Sequence, residues 1–165
     1  AIAPLNNDIV KIVNPHADGE RFKVGDRVIN TKNNAELDIW NGTTGTVQSI
    51  DGSGRMHITT DFPCRPNGEV DETCDVDVPR DWVKHFKHAY ALTVHKSQGS
   101  QYRKVCFVVL GRDAFALLDR AMTYTAITRA RKECLVLGEL SAFSNAVRKI
   151  TNRNTVMKLL AEIYG

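Results

Sequence analysis

Two continuous apolar runs, Val105–Leu110 and Cys134–Leu137, constrain the fold of this chain more than any other feature. Short runs without polar alternation are typical of strands buried on both faces of a parallel sheet. Between them, Leu117–Arg131 places apolar side chains near one stripe at helical spacing. Because parallel strands need a crossover connection, the pattern predicts a strand–helix–strand unit of an open α/β sheet.

Further elements extend this α/β part on both sides. An apolar strand is predicted at Tyr90–Val94, and helices are predicted at Ser141–Ile150, with Ser141 as N-cap, and at Asn154–Tyr164. The region before them has a different pattern, with short alternating strands predicted within Phe22–Thr31, Thr44–Ile50 and Arg55–Asp61 and around Val76, Val78, Trp82 and Val83. The turn Asp51–Gly54 is a strong hairpin signal.

These patterns predict two domains. A small antiparallel β-barrel of the Src-homology-3 kind is expected over residues 41–84. It would interrupt a discontinuous α/β domain with a parallel sheet, formed by residues 1–40 and 85–165.

Charge is segregated along the chain, although the net charge is only +3. Residues 82–112 contain six Lys or Arg and no acid, whereas residues 61–81 contain seven acids and two Arg. This distribution is expected if one surface meets phosphate, and clustering by chance is the alternative.

The cysteines and the first residues of the chain indicate the cellular compartment of the protein. Cys64, Cys74, Cys106 and Cys134 show no CxxC spacing, and Cys106 and Cys134 are predicted to be buried thiols. We therefore expect no metal site and a reduced, cytoplasmic protein.

No apolar run is long enough to span a bilayer, so no membrane association is expected. The start lacks both Met and a signal-peptide pattern, which predicts a piece of a longer protein.

Polar side chains able to contact phosphate are concentrated in Ala91–Tyr102. The predicted strand ends there and is followed by one loop with hydroxyl, imidazole, ammonium and amide side chains and a glycine. These residues are Thr93, His95, Lys96, Ser97, Gln98 and Gly99. Ligands of open α/β sheets bind at such strand ends. The alternative is a polar turn capped by Gly99.

A second segment, Tyr124–Arg131, is predicted to close the helix with Arg129 and Arg131. Arginine near a helix C-terminus commonly just complements the helix dipole. The functional alternative is an arginine finger, whose guanidinium stabilises charge on a transferring γ-phosphoryl group.

Together these segments resemble motifs V and VI of superfamily 1 DNA helicases of the RecD/Dda type, which move 5′ to 3′ and include exonuclease V alpha subunits. Leu92–Ser100 resembles motif V and Tyr124–Arg131 resembles motif VI. Gly25–Asn34 and Trp40–Gly45 resemble the segment that leads into the small barrel insert of this subfamily. The fold implied is the second RecA-like motor domain with a Src-homology-3-like insert.

The resemblance implies roles for matching residues. Arg129 would be the catalytic arginine finger and would bind nucleotide together with Gln98, Gly99 and Gln101. Gln101 replaces the Glu that many relatives use to hold the ribose, and an amide lacks the charge-assisted strength of a carboxylate. The implied DNA contacts are Thr93, His95, Lys96, Ser97, Lys32, Asn33 and Asn34, of which Asn33 and Asn34 are equally good turn formers. Trp40 would stack on a base or lie in the barrel core.

The sequence contains no G-x-x-x-x-G-K-[ST] phosphate loop. We therefore expect ATP and Mg²⁺ to bind the longer protein, and this chain alone to bind neither and to be inactive. The implied partners are single-stranded DNA, the first RecA-like domain and a nuclease or recombination complex. The alternatives are a non-catalytic nucleic-acid-binding module and a barrel domain that binds a protein partner.

Overall fold

The computed structural model describes residues 2–17, 19–61, 74–110 and 118–150. The chain divides into two compact units, Ala1–Lys96 and Ser97–Gly165. The predicted helix at Asn154–Tyr164 lies outside the described residues, as does Leu117 at the start of the other predicted helix.

An antiparallel five-stranded sheet forms most of the first unit. It contains β1 (Arg27–Asn30), β2 (Thr44–Ile50), β3 (Met56–Thr60), β4 (Asp75–Val78) and β5 (Phe86–His88) in the order β4-β3-β2-β1-β5. The predicted hairpin between β2 and β3 is confirmed. Its turn is closed by Asp51, whose carboxylate accepts hydrogen bonds from the backbone N–H groups of Ser53 and Arg55.

One face of this sheet covers the hydrophobic core of the unit. Alternate residues of β3 point inward, as the pleat of a strand requires. The fully buried side chains pack in one cluster, which consists of Phe22, Val28, Ile39, Val47, Met56, Ile58, Val78 and Phe86. Leu37, Val76, Trp82 and Val83 pack against it while partly exposed.

The predicted Src-homology-3-like barrel is not confirmed. The sheet is open along β4 and β5 in the described residues, and it includes β1 and β5 from outside residues 41–84. Trp82 and Val83 lie on a short helix, α2 (Arg80–Val83), rather than on a strand, because Pro79 accepts its first backbone hydrogen bonds. The domain boundaries at 40/41 and 84/85 stay a prediction.

Helix α1 (Ile2–Val13) was not predicted, and it fixes the segment that precedes motif V. Asn6 is buried, and its side-chain amide donates to the carbonyl of Ala91 at 2.9 Å and accepts from the Ala91 N–H at 2.8 Å. These bonds occupy both backbone groups that a sheet neighbour would use. The prediction of a strand at Tyr90–Val94 is therefore wrong, and the last strand before the motif ends at His88.

An ion pair ties β1 to the end of β3. Arg27 donates through both terminal nitrogens to Asp61, and Thr44 donates to the same carboxylate at 2.6 Å. Burial alone would raise the pKa of the Asp61 carboxyl, but the hydrogen bonds from Arg27 and Thr44 outweigh it and lower the pKa below its usual value.

We expect this ion pair to make the first unit acid-sensitive. A carboxyl whose pKa is lowered by folding stabilises the fold above its ordinary pKa and loses that contribution as pH falls through the lowered value. Asp61→Asn should reduce the free energy of unfolding in urea at pH 7 by on the order of 1 kcal/mol, and the deficit should shrink at pH 3. Asp8→Asn, on the exposed face of α1, is the control. Unchanged stability at pH 7 would contradict the assignment.

The second unit contains a strand–helix–strand arrangement, as predicted. β6 (Tyr102–Val109) pairs in parallel with β7 (Ala130–Gly138), and α3 (Arg120–Ile127) lies between them in sequence, followed by α4 (Leu140–Arg148). Gly138 has φ +130°, and a Cβ there would lie 1.8 Å from the carbonyl oxygen of Val109. Only glycine lets β7 end so close to the backbone of β6.

Several details of this unit differ from the predictions. The two strands are not buried on both faces, since Val108, Leu135 and Leu137 are each about half exposed, and each strand pairs with one other strand within residues 97–110 and 118–150. For the same reason Cys106 is exposed and Cys134 is only partly buried. Helix α4 begins after Glu139, so Ser141 lies inside it and is not its N-cap.

Two findings bear on the predicted setting. Cys74 is buried and disulfide-bonded, in contrast to the expectation of reduced cysteines throughout. Among the described helices, none has the length and apolar character needed to cross a membrane.

Candidate nucleotide and DNA site

The first part of motif V lies at the end of the first unit and presents its polar side chains to solvent. Three residues of the motif, His95–Ser97, form a single 3₁₀ turn, and Thr93 lies just before this turn. The Thr93 hydroxyl accepts a hydrogen bond from the Lys96 N–H at 3.3 Å and so caps this turn. Thr93, His95 and Lys96 are exposed, which leaves them accessible to a ligand.

The second part of motif V is a tight loop at the start of the second unit. Ser97 and Ser100 are buried, and the Ser100 N–H donates to the Ser97 carbonyl at 3.1 Å. Gly99 between them has φ +84°, a left-handed conformation that favours glycine. Gln98, Gly99 and Gln101 therefore remain on the exposed side of the loop.

Arg129 joins motif VI to this loop. Its guanidinium donates to the carbonyls of Thr125 at 3.0 Å and Ser100 at 3.1 Å, and to the Thr128 hydroxyl at 3.3 Å. A guanidinium has five N–H donors, so two remain without a partner among the described residues. The side chain is half-buried, and the three bonds hold its planar group in one orientation.

Backbone pairing reinforces this contact and explains one wrong prediction. The Tyr102 N–H donates to the Arg129 carbonyl at 2.8 Å, which starts the parallel pairing of β6 with β7. Helix α3 therefore ends at Ile127 instead of continuing to Arg131, and Arg131 lies on β7. The helix begins at Arg120, capped by Asp119, whose carboxylate accepts from the Met122 N–H at 2.8 Å.

Arg131 has a role that the sequence did not suggest. Its Nε donates to the side-chain oxygen of Gln101 at 3.1 Å on the exposed side of the loop. The amide oxygen of Gln101 is thus engaged, and its NH₂ group remains as a donor to a hydroxyl. The sequence feature that could have pointed to this contact is the spacing of two arginines in motif VI.

The remaining predicted DNA-binding residues lie on a loop of the first unit. Asn33 accepts from the Asn41 N–H at 2.8 Å, and Asn34 accepts from the N–H groups of Glu36 and Leu37 at 3.0 and 3.1 Å. Both side-chain carbonyls therefore shape the turn, which was the alternative role. Lys32 is exposed and sits over the Trp82 ring at 5.5 Å. Trp40 is 51% exposed, so its placement in the core is wrong.

The surroundings of Lys32 are electropositive. His85 packs against Trp82 with 4.5 Å between the ring centroids and 55° between the ring planes. Burial, followed by the charges of Lys32, Lys84 and Arg21, lowers the pKa of His85. Three basic side chains against one acid, Asp81, leave a positive balance around His85, and such a surface attracts phosphate.

The structure therefore gathers the predicted site residues into two groups. Gln98, Gly99, Gln101 and Arg129 form one group in the second unit, together with the buried Ser97. Thr93, His95, Lys96, Lys32, Asn33 and Asn34 belong to the first unit. Among the described residues, side chains placed to hold a metal ion converge at His16, Asp26 and His88, in the first unit.

Comparisons with known proteins agree on the kind of domain present. Residues 88–137, which include both motifs, match the UvrD-like helicase C-terminal domain. The ATP-dependent RecD2 DNA helicase of Deinococcus radiodurans is 34% identical over 93% of this chain, which covers 20% of that protein. The RecD subunit of the RecBCD enzyme of Buchnera aphidicola is 28% identical over 84% of this chain, which covers 21% of that protein.

Two further relatives extend these matches. The conjugal transfer protein TraA of Rhizobium radiobacter is 34% identical over 83% of this chain and 12% of its own length. The fold resembles that of the Pif1 helicase from Bacteroides in complex with ADP-AlF3 and ssDNA, with a TM-score of 0.58, 15% identity, and coverage of 98% of this chain and 42% of Pif1. This chain thus spans about a fifth of the RecD relatives that it matches.

Proposed function

We propose that this chain, which belongs to the superfamily 1 helicases of the RecD type and contains their C-terminal domain, acts in an ATP-driven translocase. It would supply the arginine finger and part of the DNA-binding surface of that translocase. ATP is the proposed substrate of the longer protein. Its movement along single-stranded DNA would be coupled to opening and closing of the cleft between two motor domains, and this movement would unwind duplex.

The orientation of Arg129 is the observation that carries this proposal. Its guanidinium bonds to Ser100 in motif V and to Thr125 and Thr128 in motif VI, so that one side chain links the two motifs. The two remaining N–H donors are available to a γ-phosphate bound by another domain. A finger fixed before the reaction stabilises developing charge without reorganising.

The ribose and phosphate groups of ATP have suitable partners beside Arg129. The exposed loop of Gln98 and Gly99 allows a nucleotide to approach the backbone closely. Gln101, held by Arg131, can donate its NH₂ to a ribose hydroxyl. Mg²⁺ would accompany the phosphates and neutralise part of their charge, held by residues outside this chain.

The first unit supports a role in binding the DNA backbone. Thr93, His95 and Lys96 are exposed on one short turn, and hydroxyl, imidazole and ammonium groups suit phosphate oxygens. Lys32 stands in an electropositive environment. Ser97 is buried, so we assign it to positioning the loop. Asn33 and Asn34 retain their amide NH₂ groups as donors to a strand.

The second unit has the surface of a partial domain. Leu135, Val136 and Leu137 on β7 and Val108 on β6 remain exposed, and the described part of this unit contributes two strands to the sheet. Apolar strand residues of a parallel sheet are normally covered on both faces. We infer that further elements of a longer protein, including the first RecA-like domain with its phosphate loop, complete this structure. A RecBCD-like complex with a nuclease is a further partner, since one relative is a RecD subunit.

Binding of single-stranded DNA by this chain tests the DNA role. We expect a fluorescently labelled oligo(dT) to bind with an affinity that falls as salt rises, because Lys and Arg contacts release counterions from phosphate. Lys96→Ala should weaken binding and reduce the slope of log K against log salt by about 0.7 for one lost contact on a single strand. Fluorescence anisotropy at several salt concentrations measures both quantities.

Lys11→Ala is the matched control, because Lys11 is equally charged, is exposed on α1 and lies outside the proposed contacts. It should leave the salt slope unchanged. Equal effects of the two variants would refute the placement of DNA on motif V. The same measurement addresses the non-catalytic alternative, since a binding module would hold DNA as tightly in this chain as in the longer protein.

A further inference from the structure

A cluster of potential metal ligands in the first unit has no part in the proposed helicase function. His16 lies in the loop after α1, Asp26 precedes β1, and His88 ends β5. One ligand atom from each lies within 4.8 Å of the other two. The Asp26 side chain is fully buried, and the His16 and His88 side chains are 11% and 17% exposed.

Both imidazole rings converge on one carboxylate oxygen. His16 Nε2 lies 2.8 Å and His88 Nε2 lies 3.2 Å from Asp26 Oδ2. Zinc binds histidine nitrogen and carboxylate oxygen at about 2.0–2.2 Å, which places neighbouring ligand atoms roughly 3 Å apart. Both separations from the carboxylate oxygen, 2.8 and 3.2 Å, are therefore of the size expected for neighbouring ligands of a single ion.

The ring orientation of His16 allows its Nε2 to face a cation beside Asp26. His16 Nδ1 lies 3.3 Å from the carbonyl oxygen of Glu20, and the tautomer with its proton on Nδ1 can donate to that oxygen. In the neutral ring, Nε2 then presents a lone pair toward Asp26. Among the described residues, His16 Nε2 is buried, and the polar atom that it faces is Asp26 Oδ2 at 2.8 Å. Metal-binding histidines typically donate their other ring nitrogen in this way.

The carboxylate of Asp26 is held in place by hydrogen bonds from three neighbours. Asn14 and Tyr90 donate to Oδ1 at 2.8 and 2.9 Å, and the Lys23 N–H donates to Oδ2 at 2.8 Å. Outer hydrogen bonds of this kind orient first-sphere ligands and strengthen binding. This order around Asp26 makes the cluster a preformed site.

We propose that His16, Asp26 and His88 bind a divalent transition metal of the zinc class, which ties the loop after α1 to β5. Two imidazole nitrogens with one carboxylate suit Zn²⁺ and its neighbours, whereas Mg²⁺ and Ca²⁺ prefer oxygen ligands. Three protein ligands leave a fourth position for water. The inference rests on the first unit alone and is independent of the helicase role.

Titration of the chelator-treated chain with ZnCl₂ tests this site. Isothermal titration calorimetry should show one zinc bound per chain, accompanied by a higher melting temperature, because an ion that binds only the folded state stabilises it. His88→Gln should weaken zinc binding by about 100-fold or more, since loss of a ligand exceeds the 10–100-fold effect of losing an outer partner. Circular dichroism establishes that the variant is folded.

His57→Gln is the matched control, because His57 lies on β3 of the same unit and pairs with Asp77 outside the cluster. It should bind zinc like the wild type. Cobalt(II) substituted into the site should lack thiolate charge-transfer absorption, which separates it from binding at the free Cys106 and Cys134. The proposal is overturned by absence of zinc binding, by equal binding of His88→Gln, or by a thiolate band. Absence of binding would leave a His16–Asp26 ion pair as the explanation.

Discussion

Arg129→Ala in the longer protein should lower the rate of ATP hydrolysis by about 10³–10⁵-fold, the effect of an arginine finger. The affinity for single-stranded DNA should stay nearly unchanged, because the proposed strand contacts are Thr93, His95, Lys96 and the Lys32 loop. Arg129 bonds to Ser100, Thr125 and Thr128, and its two remaining N–H groups are the ones that we propose for the γ-phosphate. Steady-state ATPase assays at saturating DNA, beside anisotropy titrations without nucleotide, measure the two effects.

Arg131→Ala is the matched control for this prediction. Arg131 lies two residues further along, carries the same charge and bonds to Gln101 alone among the described residues. Its loss should raise the KM for ATP modestly by releasing Gln101, with little change in kcat. Arg129→Lys should remain nearly as inactive as Arg129→Ala, because an ammonium lacks the planar fork of the guanidinium. ATP hydrolysis by Arg129→Ala at near wild-type rate would disprove the finger assignment.

A structural effect of the Arg129 substitution has to be separated from the catalytic one. Without the guanidinium, the Ser100 carbonyl loses its donor, and an unsatisfied buried acceptor costs about 1–3 kcal/mol. The melting temperature of Arg129→Ala should therefore fall slightly. A loss of ATPase that persists well below the melting transition identifies the finger role.

Local signals in the sequence predicted much of the fold. The Asp51–Gly54 turn between alternating strands specified the β2–β3 hairpin, and the apolar runs specified β6 and β7. The hairpin and the two strands are each determined by residues that are close in sequence. The two motif segments were likewise visible, since each is one short run of characteristic residues.

Features that depend on distant contacts were not predictable. The Asn6 side chain replaces a strand neighbour at Ala91 and removes the predicted strand before motif V, although neither residue signals the other. The pairing of β1 with β5 extends the antiparallel sheet beyond residues 41–84. His16, Asp26 and His88 share no spacing rule, so their convergence appears only after folding.

The same limit applies to the candidate site. Motif VI ends in a strand and not in a helix because the Tyr102 backbone pairs with the Arg129 carbonyl, a contact across almost thirty residues. The sequence thus identified Arg129 as a candidate but not the three bonds that orient it. It also did not indicate that Arg131 would hold Gln101.

The second large effect concerns this chain by itself. Hydrolysis of ATP by a two-domain motor requires a phosphate loop to hold the β- and γ-phosphates as well as a finger. The 165 residues contain no such loop motif. A finger alone can stabilise charge only on a phosphate that another domain has positioned, so the site that we propose is composite.

ATP turnover by this chain and by the longer protein, measured side by side with and without single-stranded DNA, tests the central claim most directly. The longer protein should hydrolyse ATP with stimulation by DNA, and the chain of 165 residues should show no turnover above a buffer blank. DNA-stimulated turnover by the chain alone would contradict the composite site. Absence of turnover in the longer protein would contradict the motor assignment itself.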